Sequence, residues 1–157
     1  MLYTKRNAFT MLELTFVIVI IGILSAVAIP KLSATRDDAI ITKARTTVAA
    51  VRNAIATERQ KRILRGVFTP ITAVDGTVDA TQANVAIFDF FDNADNNRVL
   101  EYPLRTCDAG ARGCWIGLAN NEYRFRFPHN NTDVDFNITN NRFDCKTAGP
   151  DCDLLTQ

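Results

Sequence analysis

Histidine is almost absent from this chain, and its cysteines lack the spacing that binds metals. The single histidine, His129, lies in a Pro-His-Asn-Asn segment that is typical of an exposed turn. The four cysteines do not form the C-x2-C pattern of a zinc site. We also find no nucleophile motif, phosphate-binding loop or other metal signature. The sequence therefore predicts no enzyme, no cofactor and no bound metal.

Net charge is nearly absent as well. The 157 residues have a formal charge of +1, so no overall field favours nucleic acid as a partner. The length suits one domain with an extension. Locally, four basic residues cluster near the end of a predicted helix: Arg59, Lys61, Arg62 and Arg65. The sequence does not place Arg98 and Arg105 relative to this cluster. Cations also suit the carboxyl end of a helix dipole, so DNA binding, which would weaken steeply with salt, is an alternative to a purely structural role.

Charge is missing from one long stretch near the N-terminus. Phe9 to Ile29 contains a single ionisable side chain, Glu13, and as a helix it would be ~31 Å long, close to the hydrocarbon thickness of a bilayer. Lys5 and Arg6 precede it, so we expect the N-terminus to stay in the cytoplasm. A carboxylate within lipid costs roughly 2.5–3.5 kcal/mol. Glu13 is therefore a functional candidate that needs a cationic partner.

Three interpretations fit this apolar segment. A plain membrane anchor would have no use for Glu13. A secretory signal peptide would place its cleavage after the A-x-A sequence that ends at Ala28. A prepilin leader would be cut much earlier, between Ala8 and Phe9.

The third interpretation is the one that the residues resemble closely. A short basic leader, then Ala8, Phe9-Thr10-Met11-Leu12-Glu13 and the apolar run Leu14 to Ile29, is similar to the start of type IV pilins and pseudopilins. The resemblance covers about the first 35 residues, with one departure, because Ala8 stands where the family usually has glycine. It implies that a prepilin peptidase cuts between Ala8 and Phe9, that Phe9 is N-methylated, and that Glu13 acts in assembly.

The same resemblance implies a function and a location. We expect a pilin-like structural subunit of a (pseudo)pilus in a type II secretion or DNA-uptake system; the alternatives are a surface type IV pilus subunit and a DNA-binding minor pilin of a competence system. The expected partners are other pilin-like subunits, the prepilin peptidase and an inner-membrane assembly platform. The chain would cross the bacterial inner membrane once, with its head periplasmic or extracellular. In this family the stretch from Gly22 to Pro30 can lose helicity on assembly, so both residues are predicted helix breaks.

Behind the span, the sequence predicts that the helix continues to Arg65 and ends at Gly66. We expect a leader at 1–8, a transmembrane helix at 9–30, an amphipathic helix at 31–65 and a head at 66–157. An apolar stripe follows one face of the amphipathic helix: Ala34, Ile41, Ala44, Val48, Val51 and Ile55. A row of charged residues repeats every seven positions on another face: Asp38, Arg45, Arg52 and Arg59. This row is either solvated or in contact with acidic groups of neighbouring subunits.

The head is predicted to be rich in β-strands. Four segments are apolar, or alternate between apolar and polar residues, as antiparallel strands do: Cys114–Leu118, Tyr123–Phe127, Val134–Ile138 and Arg142-Phe143. Turns are predicted at Asn120-Asn121 and Asn140-Asn141. Arg124 and Arg126 are expected opposite Asp133 and Asp135. A short helix is expected near Gln82 to Phe91, followed at 92–97 by a polar turn that is more typical of a solvated loop than of a calcium site. The fold class is therefore α+β, a long N-terminal helix packed on a small antiparallel sheet, as the resemblance also implies.

All four cysteines follow residue 100, in the part of the chain that would cross the membrane. An even number of cysteines there predicts disulfides in an oxidising compartment. Three pairings are possible, and the identical spacings favour the local pairs Cys107 with Cys114 and Cys145 with Cys152. Each short loop would stabilise the head by ~2.5 kcal/mol in the chain-entropy description.

Overall fold

A computed structural model describes residues 9–76, 81–92, 96–108, 110–129 and 131–157, with the backbone alone for Ser33. The predicted leader, residues 1–8, lies outside the described residues. The chain divides into two compact units, residues 1–36 and 37–157. The long helix α1, Met11–Leu64, contributes to both units.

The carboxyl end of α1 is closed by two backbone hydrogen bonds. The Val67 N–H donates to the Arg62 carbonyl at 2.8 Å, and the Gly66 N–H donates to the Ile63 carbonyl at 2.9 Å. This is the Schellman arrangement, which needs a left-handed residue just after the helix. Gly66 supplies it with a φ of 75°, so the predicted stop at this glycine is confirmed.

Within the described residues, six short strands and one short helix follow. Two of the strands pair with each other, and they are β1 (Ala86–Ile87) and β2 (Leu104–Arg105). The other four form an antiparallel meander in chain order: β3 (Cys114–Leu118), β4 (Glu122–Arg126), β5 (Asp133–Thr139) and β6 (Arg142–Cys145). The chain ends in α2, Pro150–Thr156.

The meander has the strands and turns that the sequence predicts. The β5–β6 turn is formed by Asn140 and Asn141, which have φ values of 54° and 60°. Two successive positive φ values in a two-residue loop are typical of the I′ turn, which matches the twist of paired strands. Asparagine tolerates this backbone region better than other residues with a Cβ.

Three features of the head differ from the sequence-based expectation. The helix expected near Gln82 to Phe91 is wrong, since the described residues there form turns and the strand β1. Phe88 has a φ of 60° and is fully buried, so packing of its ring outweighs the helical pattern. The strands β1 and β2 and the helix α2 were not predicted.

The core of the second unit lies between one face of α1 and one face of the meander. The helix contributes Ala44, Val48, Val51 and Ile55, which are buried as the stripe predicts. Of the other two stripe residues, Ile41 is half-buried and Ala34 is exposed. The sheet contributes aromatic rings from alternate positions: Trp115, Tyr123, Phe125, Phe136 and Phe143. Phe136 and Phe143 stack with ring centroids 5.0 Å apart. The predicted α+β class, a long helix on an antiparallel sheet, is confirmed.

Candidate processing and assembly segment

The start of α1 is organised by reciprocal hydrogen bonds between Thr10 and Glu13. The Thr10 N–H and hydroxyl each donate to Glu13 Oε2 at 2.9 Å. The Glu13 N–H donates in return to Thr10 Oγ1 at 3.2 Å. This arrangement is a capping box, with Thr10 as the N-cap and Glu13 as the third helical residue. The carboxylate therefore has donors of its own before a free amine is formed at Phe9.

Sequence reasoning gave Glu13 an assembly role but missed this local partner. The signal was present, since Thr-x-x-Glu ahead of an apolar run is a known helix start. The first turn is also where the helix dipole favours a negative charge. Two local effects thus stabilise the charge of Glu13, while its role in assembly stays a prediction.

The segment behind the capping box is apolar and unpacked. Phe9 is 86% exposed, and the large side chains from Met11 to Ile29 are exposed too. An 18-residue window of α1 has a mean hydropathy of 2.6 and is not buried inside the protein. By length and composition the helix is able to cross a membrane, a property that it shares with secretory signals near an N-terminus. An apolar surface of this extent needs lipid or protein around it.

The helix is continuous through both predicted breaks, Gly22 and Pro30. A Cβ placed on Gly22 would meet no heavy atom within 4 Å, so nothing inside the subunit requires glycine there. Pro30 removes the hydrogen bond that its position would donate to the Ala26 carbonyl. The separate subunit therefore shows no break at either residue, and loss of helicity on assembly stays a prediction.

The charged row on α1 contacts the chain's own head. Arg45 Nε donates to the Leu154 carbonyl at 2.8 Å, and Arg59 Nη1 donates to the Thr69 carbonyl at 3.1 Å. Both expectations for this row, a solvated face and contacts to neighbouring subunits, missed these intramolecular bonds. Leu154 is far from Arg45 in sequence, and Thr69 lies beyond the end of the helix that carries Arg59, so helical periodicity reveals neither bond.

Arg52 makes the most extensive of these contacts. Its Nε donates to the Phe143 carbonyl at 2.9 Å, and its Nη1 donates to the Thr156 carbonyl at 3.3 Å. Its Nη2 lies 2.6 Å from Asp144 Oδ1. One guanidinium therefore connects α1 to β6 and to the last residue of α2, a geometry that the planar fork of arginine allows and lysine does not.

Two disulfides close loops in the head. Cys107 bonds to Cys114 and Cys145 bonds to Cys152, with a sequence separation of 7 in each case. These are the local pairs that the spacing favours. The second bond links the end of β6 to the first turn of α2, beside the buried side chain of Leu155.

A carboxylate fastens the segment after α1 to the helix end. Asp92 Oδ1 accepts hydrogen bonds from the Thr72 and Ala73 N–H groups at 2.7 and 3.0 Å, and Asp92 Oδ2 lies 2.8 Å from Arg62 Nη2. Arg62 Nε also bonds to Glu58 at 3.0 Å. Burial alone would raise the pKa of Asp92, but these hydrogen bonds outweigh it and lower the pKa below its ordinary value. Arg62, one member of the basic cluster, is thus already paired.

A second carboxylate lies beside a buried phenol. The Tyr123 hydroxyl donates to Asp75 Oδ1 at 2.6 Å and accepts from the Val74 N–H at 3.0 Å. Burial, and then the nearby Asp75 charge, raises the pKa of Tyr123 well above its usual value. Burial likewise raises the pKa of Asp75, with a smaller contribution from Asp89. The phenol therefore stays protonated and acts as a donor that holds this segment on the sheet.

The other candidate residues, Arg124, Asp135 and His129, form polar side-chain contacts within the chain. Arg124 pairs with Asp135 across β4 and β5, with Nε–Oδ1 and Nη2–Oδ2 distances of 2.6 and 2.9 Å, as the strand pattern predicts. This bond lowers the pKa of Asp135. His129 is half exposed, with Nδ1 3.2 Å from Asp37 Oδ2. Within the described ranges no three acidic, histidine or cysteine residues form a metal-binding group, and part of the 92–97 turn, residues 93–95, lies outside them.

Comparison with known protein families finds a match for the N-terminal segment. Residues 3–29 match the family described as the prokaryotic N-terminal methylation motif, the prepilin signal of type IV pilins and pseudopilins. The match spans the predicted cleavage junction, Glu13 and the apolar run. Neither a curated protein nor a solved structure matches the chain. The motif indicates a structural subunit that a prepilin peptidase processes and that assembles with other pilin subunits.

Proposed function

We propose that the chain is a pilin-like subunit of a pseudopilus in a type II secretion or DNA-uptake system. The observation that carries the proposal is the methylation motif at residues 3–29, which continues into an exposed apolar helix that is able to cross a membrane. The helix leads into a disulfide-bonded head. Such bonds persist in oxidising compartments, which supports a head on the outer side of the inner membrane and an N-terminus in the cytoplasm.

The choice between these machines rests on the size of the head and of its disulfide loops. The head is small and both disulfide loops are short, which favours a pseudopilus over a surface type IV pilus. Neighbouring genes would test this choice directly. A secretion ATPase and an outer-membrane secretin would support the secretion system, and competence proteins would support DNA uptake.

Assembly would use charge pairing inside a low-dielectric layer. Cleavage after Ala8 frees an amine at Phe9, which is charged near neutral pH. Phe9 directly precedes the N-cap Thr10, so its amine lies within about one helical turn of Glu13. An amine and a carboxylate each cost several kcal/mol in lipid, and pairing recovers much of that cost. Pairing between subunits would therefore favour docking of each newcomer.

Processing gives the first prediction. Intact-mass analysis of membrane-extracted protein should show a chain that begins at N-methylated Phe9. An unprocessed form should accumulate when the prepilin peptidase is deleted. A mature chain that begins at Ile29 would instead establish a secretory signal peptide and remove the basis for assembly through Glu13.

Substitution of Glu13 gives the second prediction. Glu13→Val should enter the membrane at least as well as wild type, because the costly charge is gone, yet yield few sheared filaments. Glu13→Gln is the matched control for the capping box, since glutamine at this position can keep the box without the charge. It should therefore assemble as poorly as the valine variant, and Glu13→Asp should be intermediate. Wild-type filament yield from Glu13→Gln would show that the cap, not the charge, drives assembly.

DNA binding is the second candidate function, and one observation favours it. Lys61 and Arg98 line the same cleft, about 250 Å³ in volume. Arg62, however, is engaged by Glu58 and Asp92, which leaves fewer cations for phosphates. DNA binding through phosphate contacts would appear as an affinity that falls steeply with salt and that drops when Lys61 and Arg98 are replaced together.

A further inference from the structure

An apolar and basic patch lies where α1 ends in the second unit. Four neighbouring side chains are exposed: Ile63, Leu64, Val67 and Phe68, with Leu64 at 87% and Phe68 at 69%. Lys61 and Arg65 are exposed beside them, and neither forms an ion pair within the described residues. We call these six residues the distal patch. The helix dipole accounts for the cations but not for so many exposed apolar side chains.

A complementary surface lies on α2. Asp153 and Leu154 are exposed there, and Asp151, half-buried, precedes them. No ion pair engages either aspartate within the described part of the chain. We call these three residues the acidic face. It presents negative charge and an apolar side chain, the counterparts of what the distal patch presents.

The two surfaces lie at different levels along the same helix. The acidic face is fixed beside Arg45, whose Nε donates to the Leu154 carbonyl, and Arg52 holds the end of α2. The distal patch begins at Lys61, and Leu64 lies about 28 Å beyond Arg45 along α1 at a rise of 1.5 Å per residue. The surfaces are therefore too far apart to meet within one subunit.

We propose that the distal patch of one subunit docks on the acidic face of a second copy of this chain. The contact is head to tail, because it joins two different surfaces of identical molecules. Such a contact leaves a free patch at one end and a free face at the other, so it produces an open helical array unless the rotation closes a ring. The inference rests on the proposed filament function and names the head surfaces that would meet.

Cysteine cross-linking of the full chain in membranes tests the contact. Arg65→Cys and Asp153→Cys, with distinguishable tags, are produced alone and together, and the cells are oxidised. All four native cysteines are paired, so no native thiol competes. A mixed dimer should form in the co-producing cells, and neither variant should cross-link alone. Lys43→Cys, an exposed cation on α1 about 27 Å before Lys61 at a rise of 1.5 Å per residue, replaces Arg65→Cys as the matched control and should give no mixed dimer.

Charge reversal supplies an independent measurement. Lys61→Glu with Arg65→Glu should lower filament yield several-fold, as should Asp151→Lys with Asp153→Lys, and the four changes together should restore it. Filaments without the mixed cross-link, or without rescue by the combined reversal, would overturn the contact alone. Self-cross-linking of Arg65→Cys would replace it with a symmetric contact. Absence of filaments from wild type would remove the proposed function and this inference with it.

Discussion

At the scale of single residues, Asp92 is the side chain whose contribution to the stability of the head can be tested most directly. Its carboxylate joins the end of α1 to the segment at Thr72 through charge-assisted hydrogen bonds. Weakening these charge-assisted hydrogen bonds costs about 2 kcal/mol. Asp92→Asn keeps the shape of the side chain and one acceptor oxygen, but it removes the charge and replaces the other oxygen by an amide donor.

Acid should therefore separate Asp92→Asn from wild type. The folded pKa of Asp92 lies below its ordinary value of 3.8, so its contribution is present above that value and is lost as pH falls through the folded pKa. We expect the variant to be less stable at neutral pH and the difference to shrink in acid. Denaturant unfolding in detergent, followed by the single, buried Trp115, measures this.

A control variant and one contradicting result complete the test of Asp92. Asp153→Asn, a change at an exposed carboxylate, should leave the unfolding free energy almost unchanged at both pH values. A stability difference for Asp92→Asn that stayed constant from neutral pH into acid would show that its charge is not what holds the segment. Fluorescence of Trp115 reports the head alone, so the membrane segment does not complicate the result.

At the residue scale, the side-chain pairs that the sequence predicts correctly face each other across adjacent strands of one hairpin, as Arg124 and Asp135 do. The capping box of Thr10 and Glu13 is readable from four consecutive positions, although its significance was missed. The bonds of Arg45 and Arg52 to backbone carbonyls near the C-terminus are not readable, because helical periodicity fixes a side chain's face and not what packs against it.

At the scale of elements, length decided what the sequence could predict. The stripe on α1 and the alternation in β4 and β5 extend over several residues, so their periods were clear. The strands β1 and β2 are two residues each and have no measurable period. The helix α2 did have a signal, because Gly149 precedes Pro150 and proline is favoured in the first helical turn.

The second disulfide should matter for α2 in particular. Replacing Cys145 and Cys152 by serine should lower head stability by about 2.5 kcal/mol through loop entropy and speed amide exchange across Pro150–Thr156. Serine at Cys107 and Cys114 is the matched control, because its sequence separation is also 7. It should cost similar stability but leave α2 exchange slow. Equal acceleration of α2 exchange in both pairs would contradict a local tether.

At the scale of the whole molecule, the head and the apolar segment have different requirements. The head buries its own aromatic core, so its class could be predicted from patterns within the chain. The large apolar side chains from Phe9 to Ile29 are exposed, and lipid or other subunits supply the final environment of this segment. Its conformation after assembly therefore does not follow from the separate chain.

Pro30 is the residue through which this difference can be tested. In the separate subunit α1 is continuous across it, although proline inside a helix costs about 3 kcal/mol relative to alanine. If the stretch from Gly22 to Pro30 unwinds on assembly, Pro30→Ala should oppose it by restoring the hydrogen bond to the Ala26 carbonyl. Amide exchange at 22–30 should be slow in detergent-embedded wild-type subunits and fast in sheared filaments.

Pro30→Ala should change both the difference in amide exchange between subunits and filaments and the yield of filaments. Pro30→Ala should slow exchange at 22–30 in any filaments that form and should reduce their number, while Val27→Ala, which alters no backbone donor, should behave as wild type. The buried stretch of α1 around Val48 serves as an internal reference and should stay protected in every sample. Equal protection at 22–30 before and after assembly would mean that the helix enters the filament intact, and the proline would then have to act by limiting how closely neighbouring helices approach.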